Sequence, residues 1–141
     1  DLINYKRRSA EEMDELRRAA NSRLLTRVLS VVDDLNRALS HIPEDAVAPG
    51  WLDGLLLVQR NLNNLLESES VTKIEALGQP FGPWEFEAVQ YEETTEIEDG
   101  HVTRVVREGY RLRDRVLRAA QVIVAKRPEP EQQSETTEEG E

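Results

Sequence analysis

Apolar residues recur at steps of three or four along the first third of the chain: Met13, Leu16, Ala20, Leu24, Val28, Val31, Leu35, Ala38 and Ile42. No Pro or Gly interrupts this stretch, so the spacing predicts one continuous helix from Asp1 to about Ser40. At roughly 1.5 Å per residue such a helix is about 60 Å long. Nothing else in the chain could cover that length, and the simplest cover is a second copy of the same helix. Up to Leu24 the apolar stripe is thin and flanked by charge (Arg7, Arg8, Glu11, Glu12, Arg17, Arg18), as in a two-stranded seam. From Leu24 to Leu39 it widens to include Leu25, Leu29 and Val32, a face that needs more than one neighbour.

Pro43, Pro49 and Gly50 mark a loop from His41 to Gly50. A second helix is expected from Trp51 to about Ser68, with Leu52, Leu55, Leu56, Val58, Leu62, Leu65 and Leu66. It is too short to bury that face alone. Two copies of it packed on two copies of Leu24–Leu39 make a four-helix bundle, with Leu24, Val28, Val31, Leu35, Leu55 and Leu62 at the dimer interface. Gly54, inside this helix, fits a close helix contact.

Beyond Val71 the period changes. Gly78, Pro80, Gly82 and Pro83 form a turn-rich crossing, in which Trp84 and Phe86 are expected to pack the junction of helix and sheet. Strands are expected at Ala88–Thr94, His101–Arg107, Tyr110–Arg113 and Val116–Ala125, the last bent at Ala119-Ala120, with Tyr110 in the core. Gly100 is expected to close a hairpin between the first two. The fold class is thus α+β: a long helix pair (coiled coil) leading to a dimeric four-helix bundle, then a small, mostly antiparallel β-domain. Residues 1–70 form the dimerising part, 71–127 the β-domain and 128–141 an acidic tail.

Charge sharpens this division. The chain carries 28 acids and 18 bases, and six of the acids lie in Pro128–Glu141, which has no base and no apolar residue. Such a segment buries nothing to offset its ordering entropy and is read as disordered. The remaining 22 acids and 18 bases leave a mildly acidic body, without the basic face of a nucleic-acid binder. The absence of cysteine excludes disulfides and thiolate metal sites, and it is compatible with a reducing cytoplasm. No stretch approaches the roughly 18 apolar residues of a membrane span. No signal peptide is read at the start, which is Asp1.

No catalytic set emerges: there is no phosphate loop, no nucleophile elbow and no zinc-binding His pair. His41 and His101 read as solvated turn residues, Asp33-Asp34 as a solvated pair between bundle positions, and Glu92-Glu93 and Glu96–Asp99 as a solvated edge and turn. No cofactor or metal is expected. Arg115 and Arg118 stand in an apolar strand region and admit two readings, a partner contact or an internal salt bridge to Glu108 or Asp114. From the residues alone, a homodimeric coiled-coil scaffold or adaptor with a protein-binding β-domain fits.

Two runs go further. Phe81–Val89 (FGPWEFEAV) and Glu108–Lys126 (EGYRLRDRVLRAAQVIVAK), behind Asn4-Tyr5-Lys6-Arg7-Arg8 and Leu29–Leu39, resemble the GrpE family of exchange factors for DnaK-type chaperones. The second run matches its pattern at Gly109, Tyr110, Leu112, Arg115, Leu117, Arg118, Ala120, Val122 and Val124. Ser30 stands where the family often has Pro, and Gly82, Trp84 and Phe86 replace its usual Asp, Asn and His. The resemblance implies a cytoplasmic homodimer with parallel paired long helices, without enzymatic activity, whose β-domain opens the nucleotide cleft of the chaperone's ATPase domain and accelerates ADP release. It also implies that the long helix serves as a temperature sensor. The implied contact residues are Val106, Arg107, Gly109, Arg115 and Val124, with a secondary contact from Arg8, Arg17 or Arg18.

Overall fold

The computed structural model describes residues 1–43, 45–46 and 48–128. From Glu129 onward the acidic tail, expected to be disordered, lies outside the described residues. Helix α1 runs from Leu2 to Ser40 without a break, as its uninterrupted periodicity requires. Asp1 caps it, its carboxylate accepting from the Ile3 N–H at 3.1 Å and satisfying one of the orphan donors of the first turn. Helix α2 spans Pro49–Ser68 and so begins two residues earlier than expected. Pro49, read as a breaker, occupies the first turn, where its missing N–H costs nothing and its fixed φ favours the helix.

Six strands follow: β1 (Val71–Lys73), β2 (Phe86–Glu93), β3 (Val102–Arg107), β4 (Tyr110–Leu112), β5 (Arg115–Arg118) and β6 (Ala120–Lys126). They form two three-stranded sheets, β1-β4-β5 and β2-β6-β3. Three of the four pairings are antiparallel, and β2 with β6 is parallel. The expected hairpin at Gly100 does not form: β2 and β3 flank β6 rather than pairing with each other. The reason lies in composition. Val122–Ala125 is a continuous apolar run, buried at every position, and takes the centre. β2 carries Glu87, Gln90, Glu92 and Glu93, which suit an edge. Gly100 adopts φ +80 and turns the chain into β3, its N–H donating to the Ala125 carbonyl at 2.9 Å. The bend expected at Ala119-Ala120 separates β5 from β6 and carries the chain from one sheet to the other.

Two cores result. Leu29, Val32, Leu66, Val71 and Tyr110 join the helices to the first sheet, with Leu25, Val28, Leu62, Leu112 and Leu117 packed around them. Burying each such Leu or Val side chain favours the packed state by about 1.5–3 kcal/mol, enough for this cluster to seat the sheet on the helices. The second core packs Ile74 and Ala76, from the segment after β1, against Phe86, Val102, Ala120, Val122 and Val124 of the second sheet. Phe86 therefore fills the sheet core rather than the helix junction. Trp84 is 87% exposed and packs neither, because the Gly82-Pro83 turn holds it outside. By contrast, every residue from Asp1 to Asn21 is exposed within the single chain.

Candidate functional site

The residues singled out for a partner contact fall into two groups. Val106, near the end of β3, is 54% exposed. Arg107 next to it is half-buried, and its Nε finds no hydrogen-bond partner among the described residues. Arg115 opens β5, is exposed, and forms no ion pair among the described residues. Val106 and Arg115 are available to a partner, and Arg107 only in part. Val124 is only 3% exposed, and Gly109 is buried as well, so neither presents a surface.

Gly109 has a different reason to be glycine. A Cβ there would lie 2.4 Å from the Ala120 nitrogen and 2.9 Å from the Ala120 Cα. Only the absence of a side chain lets the link between β3 and β4 pack on the start of β6. The Gly109 carbonyl then accepts from the Ile74 N–H at 2.8 Å. Arg107 and Arg115 thus sit on different sheets, and Gly109 lies where the two sheets meet.

On α1, Arg8 and Arg17 are exposed and Arg18 pairs with Asp14 at 3.0 Å, one turn away. Of the residues assigned to a dimer interface, Leu24 and Val31 are 61% and 60% exposed. Val28, Leu35, Leu55 and Leu62 are half-buried, and Val28 and Leu62 already pack against the first core. Gly54 faces open space within the chain.

The expectation for Asp33 is overturned. Its carboxylate is not solvated but grips the Arg118 guanidinium in a two-point pair, Nη1 to Oδ2 at 2.6 Å and Nη2 to Oδ1 at 2.9 Å. Arg118 Nε and Nη2 also donate to the Glu108 carbonyl, at 3.1 and 2.7 Å, and the guanidinium lies 5.5 Å from the Tyr110 ring centroid. Of the two readings of Arg118, the internal one holds. Its partners are the Glu108 backbone and Asp33, not the Glu108 or Asp114 carboxylates. Burial raises the Tyr110 phenol above its ordinary pKa, the Glu108 and Asp33 charges raise it further, and Arg118 opposes them. The 85 residues between Asp33 and Arg118 put this pair beyond any local pattern.

Among the described residues, no group of three or more His, Asp or Glu could hold a metal ion, and no helix is long and apolar enough to cross a membrane. His41 is exposed, whereas His101, read as a solvated turn residue, is half-buried, bridges Pro80 and lies 3.6 Å from Glu98.

The sequence profile of the GrpE family matches residues 1–126. Protein GrpE of Bdellovibrio bacteriovorus is 38% identical over 129 residues, covering 92% of this chain and 75% of that protein. Protein GrpE of Thermotoga neapolitana is 37% identical over 125 residues, covering 89% and 72%. Protein GrpE of Parageobacillus thermoglucosidasius is 36% identical over 125 residues, covering 89% of this chain and 56% of that protein.

Proposed function

The chain belongs to the GrpE family, and from that membership we propose that it is a nucleotide-exchange factor for a DnaK-type chaperone. It binds the chaperone's ATPase domain, favours the open nucleotide cleft and accelerates ADP release. The family match across residues 1–126 carries this reading. The protein performs no chemistry of its own and works in the cytoplasm. Its effect comes from binding the open conformer better than the closed one, so that bound chaperone spends more time open. Exposed Val106 and Arg115, with half-buried Arg107 beside Val106, support a contact on the β-domain. Gly109 and Val124 contribute as packing residues of the β-domain, and Arg8, Arg17 and Arg18 supply a secondary contact from α1.

The working form is a homodimer. Met13, Leu24 and Val31 project within about 20° of one another at about 100° per residue, and all three are exposed. Leu29 and Val32, buried within the chain, lie about 80–160° further round the helix. One face of α1 is thus used internally, and the other is a seam for a second copy. On α2 the heptad-spaced Trp51, Val58 and Leu65 are exposed in the same way, beside a glycine that admits close approach.

The test is the release rate of fluorescent ADP from purified DnaK, with and without this protein. A large acceleration is expected. No acceleration of a cognate DnaK by a folded dimer would overturn the reading.

A further inference from the structure

The contact face proposed above sits on one part of the molecule and the dimer seam on another, and something must set the angle between them. Among the described residues, Arg118–Asp33 is the one ion pair that joins a helix to a sheet. Its side chains are 9% and 20% exposed, so solvent and salt screen it little. We propose that Arg118 is a positioning residue: it fixes the orientation of the sheets on α1 and thereby aims the contact face at the chaperone.

Three observations converge on this role. The fork of Arg118 spends its donors in two directions, toward Asp33 on α1 and toward the Glu108 carbonyl in the link that follows Arg107. One side chain therefore ties the helix to the stretch of backbone between two proposed contact strands. The ring of Tyr110 lies against the same guanidinium and belongs to the core that seats the sheet on the helices. Finally, Arg118 lies three residues beyond Arg115 on β5, so holding one end of this short strand holds the other. A buried ion pair adds little net stability because of its desolvation cost, but its directional bonds select one geometry. An apolar cluster alone tolerates small rotations. The two-point pair does not.

This inference rests on the exchange-factor reading, and the experiment separates the two. The chain has no cysteine, so spin labels can be placed at Arg27→Cys and Arg104→Cys, both exposed. A doubly labelled chain diluted into excess unlabelled protein reports the distance from helix to sheet within one protomer. In R118Q the distance distribution should broaden while dimer mass and sheet melting are kept. The half-saturating concentration for ADP release should rise about tenfold, and the maximal rate at saturation should change less than twofold. R118K should not restore either value, because a point charge cannot span Asp33 and the Glu108 carbonyl together. D33N, which leaves the bonds to Glu108 in place, should shift half-saturation about threefold, and it serves alone if R118Q fails to fold. A distribution as narrow as wild type, or an unchanged half-saturating concentration in both variants, overturns the proposal. If wild-type protein fails to release ADP, the exchange reading falls, and the distance measurement still decides whether Arg118 sets the angle.

Discussion

Arg115 and Arg118 are three residues apart on one short strand and have opposite fates. Arg118 is consumed by Asp33, Glu108 and Tyr110, whereas Arg115 is exposed. Arg115→Ala should therefore raise the half-saturating concentration for ADP release about tenfold, roughly 1.4 kcal/mol of binding, and leave the dimer intact by sedimentation. Normal exchange by that variant would remove Arg115 from the contact. Tyr110 gives a prediction in pH. A phenol whose folded pKa is raised holds its proton more tightly than in the unfolded chain. Its contribution is full below the unfolded value, near 10, and is lost as pH rises from there through the folded value. Denaturant midpoints measured across pH 8–11 should fall more steeply for wild type than for Y110F, and parallel curves would count against this. Tyr110 was legible as core because apolar strand neighbours surround it in sequence. Asp33 was not, because its partner lies in the last part of the chain and a local pattern shows only two adjacent acids on a helix.

At the level of elements, the long helix could be read almost to the residue, since periodicity without Pro or Gly leaves few alternatives. The strand positions beyond Phe86 were also visible, but the three-residue β1 was too short to show a period, and the pairing of the strands was not legible. A glycine turn between two β-rich runs points to a hairpin, and the rule fails when a third, more apolar strand competes for the same edges. β6 wins because Val122–Ala125 is buried at every position. Trp84 was misplaced for a related reason: its size argues for the core, whereas the Gly82-Pro83 turn decides its direction. The seam on α1 belongs to this scale too. Leu24→Asp with Val31→Asp places two charges on the outer stripe and leaves Leu29 and Val32 in the internal core. Equilibrium sedimentation should show that variant as a monomer with an intact sheet signal. A stable dimer would show that the seam lies elsewhere.

Considered whole, the molecule is unevenly supported. The sheets and the adjoining helix turns share two cores, whereas Asp1–Asn21 is exposed throughout. In the proposed homodimer the first turns of α1 therefore depend on pairing through a thin stripe with charged flanks. Circular dichroism at 222 nm should show two thermal transitions, the lower one depending on protein concentration. A single transition would mean that the pairing is as strong as the cores. The linkage between partners gives a further expectation. If this protein weakens ADP binding to the chaperone by some factor, ADP weakens the complex by the same factor. Titration calorimetry with and without nucleotide measures both sides of that equality, and unequal factors would show that the two ligands do not act through one shared equilibrium.

The central strand of the second sheet is also, among the described residues, the last strand in chain order. During synthesis, both helices leave the ribosome before β6 exists, so in the proposed homodimer two nascent chains pair while neither yet has a complete sheet. A message truncated before Ala120 would yield a product that still carries the seam on α1 and lacks the strand that β2 and β3 require. Such a fragment would join full-length chains in mixed dimers. It would act as a dominant inhibitor in proportion to its abundance, a risk that follows from where the sheet keeps its centre.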